Sequence, residues 1–226
     1  MNYTLKSILI TVSILLAVFL SVRCSAGQLA VTSQCDEAIA YQAYTVCYSN
    51  KYKSPVFSSY TVTPAMIDAP VIKGRPSFHI DRHIPKQYRA SNNDYSNSGY
   101  DKGHIAPNSA LNYDKKTQRE TFTLSNAAPQ IVNFNRVLWR KIERHVRGLA
   151  LTHIVGVVTG VCHSDKHLTI GRNGISVPDA FFKLVRYDNT TILYYAKNTP
   201  HKNTKIADYV ITINEFDKLC NGVNIK

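Results

Sequence analysis

Tyr100-Asp101-Lys102-Gly103-His104 sets a carboxylate, a cation, a glycine and a histidine side by side. Histidine exchanges a proton near neutral pH, which makes His104 a candidate general base. Gly103 allows an unusual φ or a close approach of the backbone to a neighbour. Lys102 can hold an anion, and Asp101 can orient a neighbouring group. Four such residues in a row are ordinarily a solvated turn, and the chain that follows gives them weight. After Leu124-Ser125-Asn126-Ala127-Ala128-Pro129-Gln130 comes Phe134-Asn135-Arg136-Val137-Leu138-Trp139-Arg140-Lys141-Ile142-Glu143. Val137, Leu138, Ile142 and Val146 recur at helical spacing, with Asn135 at the N-cap or first turn. Over eight residues an α-helix rises ~12 Å and rotates by a net ~80°, so Asn135 and Glu143 fall on neighbouring faces. Two oxygen-bearing side chains so placed suit a hydrated cation such as Mg²⁺, which keeps most of its waters and needs few protein ligands.

On these residues the chain resembles the DNA/RNA non-specific endonucleases of the ββα-metal class, the family of secreted bacterial sugar-non-specific nucleases and mitochondrial endonuclease G. That family carries Asp-Arg-Gly-His, an Asn-rich segment, and a helix with a metal-binding Asn and a Glu eight residues later. Asp101-Lys102-Gly103-His104, Asn126, and Asn135 with Glu143 match it, and Arg75, Phe78 and Asp81 match an upstream Arg, aromatic and Asp. The likeness runs from about Tyr41 to the C-terminus. Two positions depart from the pattern. Lys102 stands where the family has Arg, keeping the charge without the planar fork, and Ser109 replaces a small Ala or Gly.

The resemblance implies an α+β fold of the ββα-metal (His-Me finger) kind, a central antiparallel sheet flanked by helices. It implies hydrolysis of DNA and RNA with little sequence specificity, 5′-phosphate products, and Mg²⁺ as cofactor with Mn²⁺ as the alternative. By the same likeness His104 is the general base, Arg75 contacts the phosphate in the transition state, Asn135 binds the metal and Glu143 holds metal-bound water. Lys102 and Asn126 are the expected substrate contacts. A nuclease-like binding module without catalysis is the alternative, but such a module would lack the His or the Asn, and both are present.

The 226 residues suit one large domain, and 44% apolar with 19% charged content excludes global disorder. A formal net charge of +12 favours an anionic partner, nucleic acid or an acidic membrane surface. Residues 1–26 read as a secretory signal: a short start with Lys6, an apolar run from Ile8 to Leu20, and small residues at Cys24-Ser25-Ala26. The run is short of the ~20 residues a membrane-crossing helix needs, although an uncleaved anchor is the other reading. The expectation is therefore a secreted or periplasmic domain over residues 27–226, with no stable membrane partner after cleavage.

Of five cysteines, Cys24 falls in the leader, leaving Cys35, Cys47, Cys162 and Cys220. An even number in an exported chain suggests two disulfides. Three pairings are open, and the expectation is the local pair Cys35–Cys47 with Cys162–Cys220. A zinc site at Cys162, His163 and His167 is the weaker alternative.

The remaining pattern predicts a short helix over 36–47, a strand over 56–63 and a long polar connection over 64–99. Within it, 91–99 is expected to be a surface loop. Strands are expected over 151–161, 175–187 and 191–197, a polar loop over 162–173, a last strand over 206–213 and a helix over 214–219. Asn189-Thr190-Thr191 is a glycosylation sequon.

Overall fold

The structure is a computed structural model that describes residues 18–23, 30–202 and 204–225. The expected leader lies outside the described residues except for β1 (Val18–Arg23), which pairs antiparallel with β2 (Ala30–Cys35).

The segment expected to be a helix is a hairpin, β3 (Glu37–Ala40) and β4 (Tyr44–Ser49). Tyr44, Thr45, Val46 and Tyr48 are β-formers. Cys47 is tied to Cys35 beside it, and pairing with β3 and β5 satisfies the backbone that a helix would have satisfied internally. β5 (Ser54–Val62) follows and stops at Pro64, which starts α1 (Pro64–Asp68) under a Thr63 N-cap. The 64–99 connection also holds α2 (Asn92–Tyr95), closed by a capping box between Ser91 and Asp94. Asp94 and Tyr95 are buried, so 91–99 is not simply a surface loop.

β6 (Tyr100–His104) runs into α3 (Asn108–Leu111) and α4 (Lys115–Thr121), and returns as β7 (Ala127–Ile131), which pairs with β6. The chain then enters the predicted helix with a difference. Phe134–Trp139 is a wide π-turn, and the Arg140 N–H reaches back five residues to the Asn135 carbonyl. α5 (Arg140–Leu149) continues it with regular α geometry. More residues per turn before Arg140 change the angle between Asn135 and Glu143 from the regular-helix value.

β8 (Val155–Cys162) and β12 (Thr190–Lys197) match expected strands, while the strand expected over 175–187 is broken into β10 (Ile175–Ser176) and β11 (Ala180–Tyr187), and β9 (Thr169–Ile170), which pairs with β10, falls in the expected loop over 162–173. Residues 206–213 do not form a strand. Ile206–Tyr209 is a 3₁₀ turn, and Thr212 caps α6 (Ile213–Leu219) with a Glu215 capping box. The chain closes with β13 (Val223–Ile225) on β2, and the Asn189 sequon lies exposed at the turn between β11 and β12.

The main sheet has six strands in the order β12-β11-β8-β5-β4-β3, each pair antiparallel. Both faces are covered, which explains the continuous apolar run of β8. One face carries Tyr60, Val157, Phe181 and Val185 against Phe134, Leu138, Trp139, Ile142 and Val146 of the π-turn and α5. The opposite face carries Phe57, Val158, Phe182 and Leu184 against Phe216, Cys220, Val31 and Ile225. At the strand crossing a Cβ on Gly160 would lie 2.4 Å from the Phe182 ring. Among the described residues no helix is long and apolar enough to cross a membrane.

Both expected disulfides form, Cys35–Cys47 and Cys162–Cys220. With its sulfur in the bridge, Cys162 cannot be a thiolate ligand, which overturns the zinc alternative at Cys162, His163 and His167. The bridges span 12 and 58 residues, and in the chain-entropy model such loops contribute ~3 and ~4 kcal/mol. Replacing Cys162 and Cys220 together with Ala is expected to lower the urea midpoint more than replacing Cys35 and Cys47. The reverse order would mean that native packing around the shorter bridge outweighs loop entropy.

Candidate active site

β6, β7 and the helix after them form the ββα unit, and one cavity of about 700 Å³ opens along it. Arg75, Lys102, His104, Asn135 and Glu143 all line this cavity.

His104 ends β6, opposite Ala127. Its ring lies 4.8 Å from both the Phe78 and Phe122 rings, edge-on to the latter. Its Nε2 is buried and, among the described residues, has no hydrogen-bond partner. Burial, with the Arg75 charge nearby, pushes the imidazole down to about 3, so it is neutral and able to accept a proton. One residue earlier, a Cβ on Gly103 would fall 2.0 Å from the Gln130 side chain, which is fully buried. The glycine is there for close approach, and its φ is not positive.

Asp101 organises the next part of the site. It accepts two hydrogen bonds from Arg136, at 2.8 and 2.7 Å, and one from Asn135 Nδ2 at 2.9 Å. Burial alone would raise its carboxyl, but the Arg136 and Asn135 bonds hold it below its ordinary value. A carboxylate only accepts, so Asn135 must present its NH₂ to Asp101, leaving the amide oxygen for another partner. Glu143 stands on α5 with no ion pair among the described residues. Burial raises its carboxyl, against the pull of Lys183 and Arg147.

Beneath the site is a group the sequence reading passed over. Lys183 is fully buried on β11. Its Nζ donates to Tyr60 Oη at 3.1 Å and to Thr159 Oγ1, and it lies 5.1 Å from the Trp139 ring. Burial pushes the ammonium down to about 8, with the Glu143 charge acting the other way. A lysine inside an apolar strand carries no local signal of its partners.

Arg75 is exposed, its guanidinium 5.4 Å from the Phe122 ring. Its segment is pinned by Gln118 Nε2, which donates to the carbonyls of Ile72 and Gly74. Lys102 Nζ lies over the Tyr95 and Phe78 rings at 5.4 and 5.8 Å. Ser109, the second departure from the family pattern, accepts from Arg147 at 2.6 Å.

Asn126 is corrected from substrate contact to positioning residue. It is fully buried and does not line the cavity. Its Oδ1 accepts from the Ala106 N–H and Ser58 Oγ, and its Nδ2 donates to the carbonyls of Ala106 and Thr121. With its amide committed, it locks the turn just after His104. Asp81 acts similarly, accepting from Tyr41, from Ser125 at 2.5 Å and from the His83 N–H at 2.9 Å.

The donor set fits a hard cation that keeps its water. Among the described residues no three His, Cys, Asp or Glu side chains converge. Among the described residues the Asn135 amide oxygen and the Glu143 carboxylate, which has no ion pair, are oxygen donors lining the cavity, and such donors suit Mg²⁺ better than a thiolate- or imidazole-seeking metal.

The chain is 30% identical to mitochondrial endonuclease G of Bos taurus over 154 residues, 63% of this chain and 52% of that protein. It is 29% identical to the mitochondrial nuclease of Saccharomyces cerevisiae over 203 residues, 78% of this chain and 62% of that protein. The chain thus spans roughly half to three-fifths of the length of these relatives. A crystal structure of an EndoG/EndoGI complex superposes with a TM-score of 0.76 at 28% identity, covering 82% of this chain and 84% of that one. The profile of the DNA/RNA non-specific endonucleases matches residues 28–226, and the chain belongs to that family.

Proposed function

We propose that this protein is an exported endonuclease that hydrolyses phosphodiester bonds of DNA and RNA with little sequence specificity, using Mg²⁺, or Mn²⁺ in its place. The observation that carries the reading is the convergence of Arg75, Lys102, His104, Asn135 and Glu143 on one cavity. Family membership and the two disulfides, which suit an oxidising compartment, support it further.

His104, neutral, takes the proton of the attacking water. Arg75 and Lys102 face the phosphate and offset charge that accumulates on its oxygens. Asp101, anchored by Arg136, holds the Asn135 NH₂ and leaves the amide oxygen available, so Asn135 would ligate the metal and Glu143 would hold its water. A metal held there would supply charge neutralisation of the phosphate and of the leaving 3′ oxygen, consistent with 5′-phosphate and 3′-hydroxyl ends. Contacts confined to phosphate and sugar carry little base information.

The test is cleavage of plasmid and RNA by the folded chain with Mg²⁺, with Mn²⁺ and with EDTA. Binding without cleavage under all three conditions would leave the inactive binding module instead. Mass spectrometry of the exported chain is expected to find a start near Gly27 and both bridges. An intact Met1 would mean a retained anchor.

Lys102 offers a graded prediction. Lysine is a flexible point charge where arginine makes two parallel bonds to a phosphate. Lys102→Arg is expected to match or exceed the parent in kcat/KM. Lys102→Ala is expected to lose ~10- to 150-fold, the equivalent of one charge-assisted hydrogen bond made in the transition state. Equal kcat/KM for Lys102→Ala and the parent, on one duplex at fixed salt, would reduce Lys102 to a solvated neighbour of His104.

A further inference from the structure

Arg136, Arg140, Arg144 and Arg147 all face the cavity from the π-turn and α5. Arg136 is spent on Asp101, and Arg147 is held by Ser109. Arg140 and Arg144 are exposed, and among the described residues neither has an ion-pair partner. On a regular helix Arg144 stands ~6 Å beyond Arg140 and Arg147 ~10.5 Å beyond it, all three within an arc of ~60°. Side chains four residues apart on a helix are neighbours. Arg144 stands four residues beyond Arg140, while Arg136, on the π-turn, has its charge met by Asp101. Like charges so placed destabilise a helix, and a bound polyanion relieves that repulsion.

We infer that Arg140 and Arg144 form a docking track for the sugar-phosphate backbone, extending the site along α5 beyond the scissile phosphate. The inference rests on the proposed nuclease function and adds where the substrate strand lies. Phosphates recur every ~3.4 Å along one strand of a duplex, so a ~6 Å step meets about every second one. Glu143 lines the same cavity, so a strand following the track passes the catalytic centre at the beginning of α5. A track of guanidinium groups reads charge and not bases, in keeping with low sequence specificity.

The test is direct binding in the His104→Ala background, in EDTA, with a fluorescein-labelled 20-nucleotide strand and its duplex across a salt series. Arg140→Ala/Arg144→Ala is expected to bind more weakly and to lower the slope of log Kd against log salt by ~1.4 for the single strand and ~1.8 for the duplex, from ~0.7 and ~0.9 per phosphate contact. Its thermal midpoint is expected to hold or rise, because the helical repulsion is removed. Arg140→Lys/Arg144→Lys is expected to keep the slope. Lys166→Ala/Arg172→Ala removes two exposed cations away from the cavity and serves as the control for net charge. If the arginine pair and this control shift the slope equally, or neither shifts it, the track is overturned while the nuclease reading stands. A parent chain that neither binds nor cleaves nucleic acid would overturn both.

Discussion

His104→Ala is expected to lower kcat by ~10²- to 10⁴-fold, the range for loss of a general base, while binding of nucleic acid persists. The ring packs against Phe78 and Phe122, so the alanine variant also leaves a hole. His104→Asn fills more of the space and separates chemistry from folding, since it too lacks a usable base. Near-parental turnover by either folded variant would remove His104 from the mechanism. The pH profile adds an independent reading. The base works only when neutral, so activity is lost as pH falls through its pKa. Burial and Arg75 lower that pKa to about 3, and the imidazole's acid limb in kcat/KM is therefore expected well below 6.5. Glu143, raised by burial, is the other group able to set an acid limb. Glu143→Gln removes the carboxylate limb and leaves that of the imidazole. The same burial bears on stability: the unfolded state binds the proton more readily, so the His104 contribution is intact above about 6.5 and is lost as pH falls towards 3.

Asn135→Ala is expected to weaken metal affinity and turnover together, by at least the ~10- to 100-fold seen when groups supporting a metal site are removed. Raising the Mg²⁺ concentration is expected to recover part of the loss. Asn135→Asp tests the arrangement more sharply. It replaces an amide that donates to Asp101 at 2.9 Å with a second carboxylate. Repulsion between the two acids is expected to offset the stronger ligand charge. Asp101→Asn is expected to loosen the same amide, and Arg136→Ala less so, because Asn135 still reaches Asp101. A Mg²⁺ titration of Asn135→Ala that overlays the parent would put the metal elsewhere.

How much of this was legible beforehand follows from where each residue finds its partners. His104, Asn135 and Glu143 were readable as a set because one strand and one helix, close in the chain, carry all three, and local geometry then places them. β8 is readable as a buried strand because both sheet faces are covered and nearly every position in it favours an apolar or small residue. Residues 36–47 carry a hairpin instead of the expected helix because β4 is also held by β5, a partner beyond the segment that satisfies the outer edge of the hairpin. Residues 206–213 were misread as a strand for the opposite reason. Ile206, Ile211 and Ile213 pack partly buried against the cores, Val210 makes one isolated bridge to Tyr194 of β12, and the Thr212–Glu215 box starts α6.

Chain order and side-chain type set the charge, the motif spacing and the chemistry on offer at each position, since these are local properties. Contacts across the fold assigned the rest. Asn126 proved a buried brace because Ala106, Thr121 and Ser58 enclose its amide. Asp101 became the clamp of the Asn135 amide because a π-turn brings Arg136 and Asn135 to one carboxylate. Lys183 lies under Glu143 because an antiparallel sheet places β11 beneath α5. Each of these outcomes depends on which groups share a low-dielectric interior, where an unmet hydrogen bond or charge costs the most, and that sharing exists only once the sheet and the helix have packed.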